Sequence, residues 1–85
     1  MSPSPLEFPS ECPVKVMGRQ TPEFRAKMLE IFARHPKFDA TQVRERLSRD
    51  GTYVALTCTL MIDSRAELDA LYGELQATGL VLFAL

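Results

Sequence analysis

Gly51-Thr-Tyr-Val-Ala-Leu-Thr-Cys-Thr-Leu-Met-Ile62 carries no charge and is rich in β-branched residues. Val54, Leu56, Cys58, Leu60 and Ile62 make one wholly apolar face, and Tyr53, Ala55, Thr57, Thr59 and Met61 make the other. That period of two predicts a long strand with its first face on a core. Upstream, Ser48-Arg49-Asp50-Gly51 holds the Asp-Gly turn signal. Before it, Thr41 to Ser48 alternates, with Val43 and Leu47 on one side and Arg44 and Arg46 on the other. The two runs therefore read as a hairpin. Glu45 interrupts the apolar side of the earlier strand, and an inward charge of that kind suits a sheet edge.

Helices flank this hairpin. Thr21-Pro22-Glu23 combines a capping hydroxyl, a proline suited to the first helical position and an acid in the first turn. Phe24, Met28, Ile31, Phe32 and His35 follow as one stripe with Leu29 beside it, and Pro36 stops the helix. On the other side, Ser64-Arg65-Ala66-Glu67 is a capping box. Leu68, Leu71, Tyr72 and Leu75 form its stripe, and Gly79 fits the left-handed position that ends a helix. Cys12 to Gly18 alternates as a first strand, ended by Gly18, and Leu80 to Leu85 reads as a last strand apolar on both faces. Residues 1–11, rich in proline and serine, read as a flexible arm that Phe8 tethers, leaving 12–85 as the domain.

The order is β-α-β-β-α-β: an α+β, ferredoxin-like sandwich with a four-stranded antiparallel sheet and two helices on one face. The first and third strands are central, and the second sheet face is open.

Several pieces carry a family resemblance: Phe8-Pro9, Lys15-Val16-Met17-Gly18, the Arg34-His35 helix end, Ser48-Arg49-Asp50-Gly51-x-Tyr53 and Leu71-Tyr72-x-x-Leu75. On these the chain, from about Leu6 to Leu85, resembles the YbeD-like family of small bacterial proteins of unknown function. The family is similar in fold to ACT-type regulatory domains, which implies binding of a small molecule or partner without catalysis. Gene neighbourhood has suggested a link to lipoate metabolism for it. The resemblance carries over no catalytic or ligand residue.

Eighty-five residues with a net charge of −1 make one domain with no general attraction to nucleic acid or anionic lipid. A chain this short buries roughly 60–65% of its unfolded surface, so dimerisation would add to a modest stability margin. The N-terminus has no basic and apolar signal regions, and no apolar run approaches the length of a membrane span; the expected compartment is the cytoplasm. Two cysteines, Cys12 and Cys58, fall in apolar strand patterns and read as buried thiols that meet only if their strands are neighbours.

Catalytic signals are sparse. His35 is the only histidine, and an imidazolium at a helix C-terminus would complement the dipole. A metal site would need several more ligands, so no metal or cofactor is expected. Glu67 is accounted for by capping, and Asp69 and Glu74 by a solvated helix face. The more informative set is the open sheet face, where Lys15, Met17, Arg44, Arg46, Tyr53, Ala55, Thr57, Thr59 and Met61 are expected together. Lys15, Arg44, Arg46, Tyr53 and Thr57 are the candidate ligand or partner face, since arginine offers bidentate contacts to carboxylate or phosphate. The plain alternative is solubilising charge on exposed strands. RNA-recognition modules share this topology but stack bases on aromatics of both central strands, and here only Tyr53 qualifies. The reading is a non-enzymatic regulatory or adaptor domain binding a small anionic ligand or a protein partner. It is expected to form a homodimer through its sheet face or edge, without nucleic acid or membrane. The rival is a thiol-dependent or lipoate-linked accessory protein.

Overall fold

A computed structural model describes residues 8–84. The uncharged stretch forms β3 (Tyr53–Ile62), and it pairs on both sides. Strand β1 (Ser10–Arg19) lies antiparallel on one flank, with Val14 opposite Cys58 and Lys15 opposite Thr57. Strand β2 (Val43–Leu47) lies antiparallel on the other, and a short β4 (Phe83–Ala84) pairs with the outer side of β1. The sheet order β2-β3-β1-β4, with α1 (Pro22–Ala33) and α2 (Arg65–Ala77), is the expected ferredoxin-like arrangement.

Local chemistry accounts for each element. The Thr21 hydroxyl accepts from the Phe24 N–H at 3.0 Å and Pro22 opens α1, while Ser64 accepts from the Glu67 N–H to open α2. Gly79 takes φ +74° just beyond α2, where a Cβ would be strained. Phe24, Met28, Ile31 and Phe32 of α1, with Leu68, Leu71 and Leu75 of α2, bury themselves against Cys12, Val14, Val16, Val54, Leu56, Cys58, Leu60 and Ile62. Among the described residues the core contains no buried polar or charged side chain. Glu45, inward on edge strand β2, is matched by Arg25 of α1.

Four details depart from expectation. β1 begins at Ser10, two residues before Cys12; of the arm over 1–11, residues 1–7 lie outside the described residues, and Phe8 packs on the core margin. Gly18 does not end β1 but lies buried within it. A Cβ there would overlap the Phe24 ring and sit 2.6 Å from the Leu80 carbonyl oxygen, so the glycine permits α1 to close onto the sheet. The strand expected over Thr41 to Ser48 is shorter, because Asp39 caps one turn of 3₁₀ helix at Ala40–Gln42 first. The strand expected over Leu80 to Leu85 reduces to Phe83–Ala84, because Leu80 and Val81 turn in to pack on the core before the chain reaches β1 at the Leu82 N–H···O=C Met17 bond of 2.8 Å.

Candidate functional site

Alternation sends the other half of each strand outward, and register stacks those side chains into rows. Lys15 on β1 and Arg44 on β2 both pair with Thr57 on the intervening β3, so the three form one row across the sheet. Two strand spacings separate the cations, about 10 Å between backbones, a span that lysine and arginine side chains are long enough to bridge over Thr57. The next row runs Phe83, Met17, Ala55, Arg46, and the one after pairs Arg19 with Tyr53. All five residues expected on this face, Lys15, Arg44, Arg46, Tyr53 and Thr57, are therefore on it. Small residues (Ala55, Thr57 and Thr59) floor the middle, with cations on the flanking strands.

Electrostatics separate this face from the rest. Of the ten lysines and arginines, Arg25, Lys27, Arg34, Lys37 and Arg65 sit in ion pairs with Glu45, Glu30, Glu74, Asp63 and Asp69. Lys15, Arg19, Arg44, Arg46 and Arg49 have no carboxylate within reach among the described residues. The helices carry Glu23, Glu30, Glu67, Asp69 and Glu74. A net charge of −1 thus conceals a sheet face with four cations (Lys15, Arg19, Arg44 and Arg46) against one acid, Glu11, and helices with five acids against three cations. The Thr57 hydroxyl has no side-chain hydrogen bond to a described residue, so its proton is available to an acceptor above the row.

Arg19 and Phe83 also belong to this face and were not anticipated. Arg19 keeps the period of Lys15 and Met17, and taking Gly18 as the strand end hid it. Phe83 was hidden because both faces of its segment are apolar, so alternation carries no information there. Its side is 67% exposed, and neighbouring Leu82 is 53% exposed.

The thiols lie beneath, not on, this surface. β1 and β3 are neighbours, yet Cys12 faces Leu60 and Cys58 faces Val14, and both cysteines are free and buried. Burial pushes the Cys58 thiol up to about 11, with the Asp39 charge adding to it, opposite to what a thiolate nucleophile needs.

A second concavity, of about 380 Å³, opens between the end of α1 and the start of α2, lined by residues including Arg34, His35, Asp63, Glu67 and Glu74. His35 Nε2 lies 2.5 Å from Glu67 Oε1, and His35 Nδ1 accepts from the Lys37 N–H at 3.1 Å. With a backbone N–H directed at Nδ1, Nε2 is the nitrogen turned to the Glu67 carboxylate, so His35 holds a structural place at the helix end. The other Glu67 oxygen accepts from the Asp63 N–H, one residue before the cap that a standard capping box would serve. Both imidazole nitrogens and both Glu67 carboxylate oxygens are engaged in structural hydrogen bonds. The 32-residue separation gave no sign of the pairing, because capping already accounted for Glu67.

A family profile described as a protein of unknown function, DUF493, matches residues 3–85. The chain belongs to the DUF493 family. UPF0250 proteins of Bordetella parapertussis and Nitrosomonas europaea are each 41% identical to it, the first covering 94% of this chain and 89% of the relative, the second 82% of each. A UPF0250 protein of Pseudomonas entomophila is 35% identical over 94% of this chain and 89% of its own. The family consists of small bacterial proteins of unknown function, as the YbeD-like resemblance implied. No solved structure matches the chain significantly. Among the described residues no helix is long and apolar enough to cross a membrane, and no group of three or more metal-ligating side chains occurs.

Proposed function

We propose that this DUF493 protein is a non-enzymatic regulatory or adaptor domain of the cytoplasm, which recognises an anionic group on its open sheet face. The observation that carries the reading is the Lys15–Thr57–Arg44 row: two cations without carboxylate partners among the described residues flank a hydroxyl on a central strand that makes no side-chain hydrogen bond to them. Arg46 and Tyr53 lie on the same face in the two rows that follow. Charge-assisted hydrogen bonds from an ammonium and a guanidinium suit a carboxylate or a phosphate. Catalysis has less support, since His35 and Glu67 are held in structural bonds and both thiols are buried. The same burial weighs against a thiol-dependent accessory role.

Isothermal titration with citrate and with inorganic phosphate tests this reading. The wild-type protein is expected to bind citrate weakly, with affinity falling as salt rises, and the Arg44→Glu/Arg46→Glu variant to lose about tenfold or more. Both arginines are exposed, so circular dichroism should show an unchanged fold. Equal citrate binding by the variant would remove this face from the account.

A further inference from the structure

We infer that the occupant of the open sheet face is a segment of another protein, acidic and anchored by a bulky apolar side chain, rather than a free small anion. The inference rests on the anion reading above and deepens it. Small ligands are taken up in concave sites that bury most of their surface. The hollow on this face holds about 280 Å³ and is lined by Lys15, Met17, Arg46, Tyr53 and Ala55 among others, beside the basic row. That volume lies just below the range of about 300–1,000 Å³ usual for small-molecule sites and suits a single anchoring side chain.

The face is divided in a way that suits a polypeptide. Its β2 and β1 side carries Arg44, Arg46, Lys15 and Arg19. Toward β4 it carries Met17 and Phe83, with Leu82 alongside and Met61 further along β3. An exposed phenylalanine on the same face as arginines that have no carboxylate partner among the described residues has the composition of an interface hot spot, where aromatic and arginine side chains dominate. Methionine adapts to irregular apolar partners. The four cations demand a negative partner, and complementary potentials would also steer it to this side and away from the acid-rich helices. A nucleic acid fits less well. Its bases need aromatic platforms along the phosphate track, but Phe83 lies on the far side of β1 from Arg44 and Arg46, and Tyr53 stands in a different row.

Fluorescence anisotropy on the full chain tests the inference with four labelled probes of similar length. These are a peptide of glutamates with spaced leucines, an all-glutamate peptide, a lysine–leucine peptide and a single-stranded oligonucleotide. The expected result is tightest binding of the glutamate–leucine peptide, weakened about tenfold by Phe83→Ala and at least as much by Arg44→Glu/Arg46→Glu. Thermal melts of the variants check that both remain folded, which the exposure of all three side chains favours. Equal affinity for the all-glutamate peptide, indifference to Phe83→Ala, no peptide binding, or preference for the lysine–leucine peptide or the oligonucleotide would each overturn the inference. Citrate binding that responds to the arginine reversal while peptide binding ignores Phe83→Ala would overturn this inference alone and leave the anion reading standing.

Discussion

His35 ties the end of α1 to the start of α2, and its two ring nitrogens are spent on that task. His35→Ala would leave the Glu67 carboxylate short of a donor and the Lys37 N–H without its acceptor. Loss of about 1–3 kcal/mol is expected in urea unfolding, since the partners of a deleted group lose their hydrogen bonds as well as its packing. A double-mutant cycle with Glu67→Gln should show non-additivity; additive losses would mean the two side chains do not act together. Cys58 offers a second check. Its thiol binds a proton more tightly folded than unfolded, so its contribution is complete below the unfolded thiol range near 9 and is lost as pH climbs toward about 11. At neutral pH both thiols should react slowly with an aromatic disulfide reagent in the native protein and promptly in denaturant.

Among the elements, the β2–β3 hairpin shows how far alternation and turn chemistry go. Asp50 accepts from the Thr52 N–H and the Ser48 hydroxyl, which lowers its carboxyl below the ordinary range, and Gly51 takes φ +76°. A lowered folded pKa means stability that is present above the unfolded value and lost as pH falls through the folded one. Asp50→Asn should therefore flatten the acid limb of the stability profile, measured by thermal melts between pH 2 and 6. Gly18 supplies the sterner test. Gly18→Ala puts a methyl into the Phe24 ring and beside the Leu80 carbonyl, and overpacking of this kind typically costs about 1–3 kcal/mol. The element order, both helix caps and the inward charge of Glu45 were legible because each rests on a local pattern. The brevity of β4 was not, since an all-apolar run has the same appearance whether it pairs with a strand or folds back onto a core. Gly18 was misread for a related reason: its purpose lies in a side chain six residues away and a carbonyl from the far end of the chain.

For the whole molecule, the decisive property is where charge is not neutralised. Composition reports a net −1 and nothing of its distribution. Among the described residues, the fold pairs the cations of the helices and the turn after α1 with acids and leaves those of the sheet face without a carboxylate partner, and strand register gathers the latter on one side. The five face residues were legible because a period of two assigns sides without knowing partners. The row that unites Lys15, Thr57 and Arg44 needed the register, and the His35–Glu67 bridge needed the tertiary fold. Family membership adds kinship with small bacterial proteins of unknown function and no residue roles, so the case rests on geometry.

The most direct test is a heteronuclear NMR titration of the wild-type protein with the glutamate–leucine peptide. The account predicts amide shifts concentrated on Lys15, Met17, Arg44, Arg46, Thr57 and Phe83, with those of His35 and Glu67 unmoved. Shifts centred on the groove between the helices, or none at saturating peptide, would contradict it.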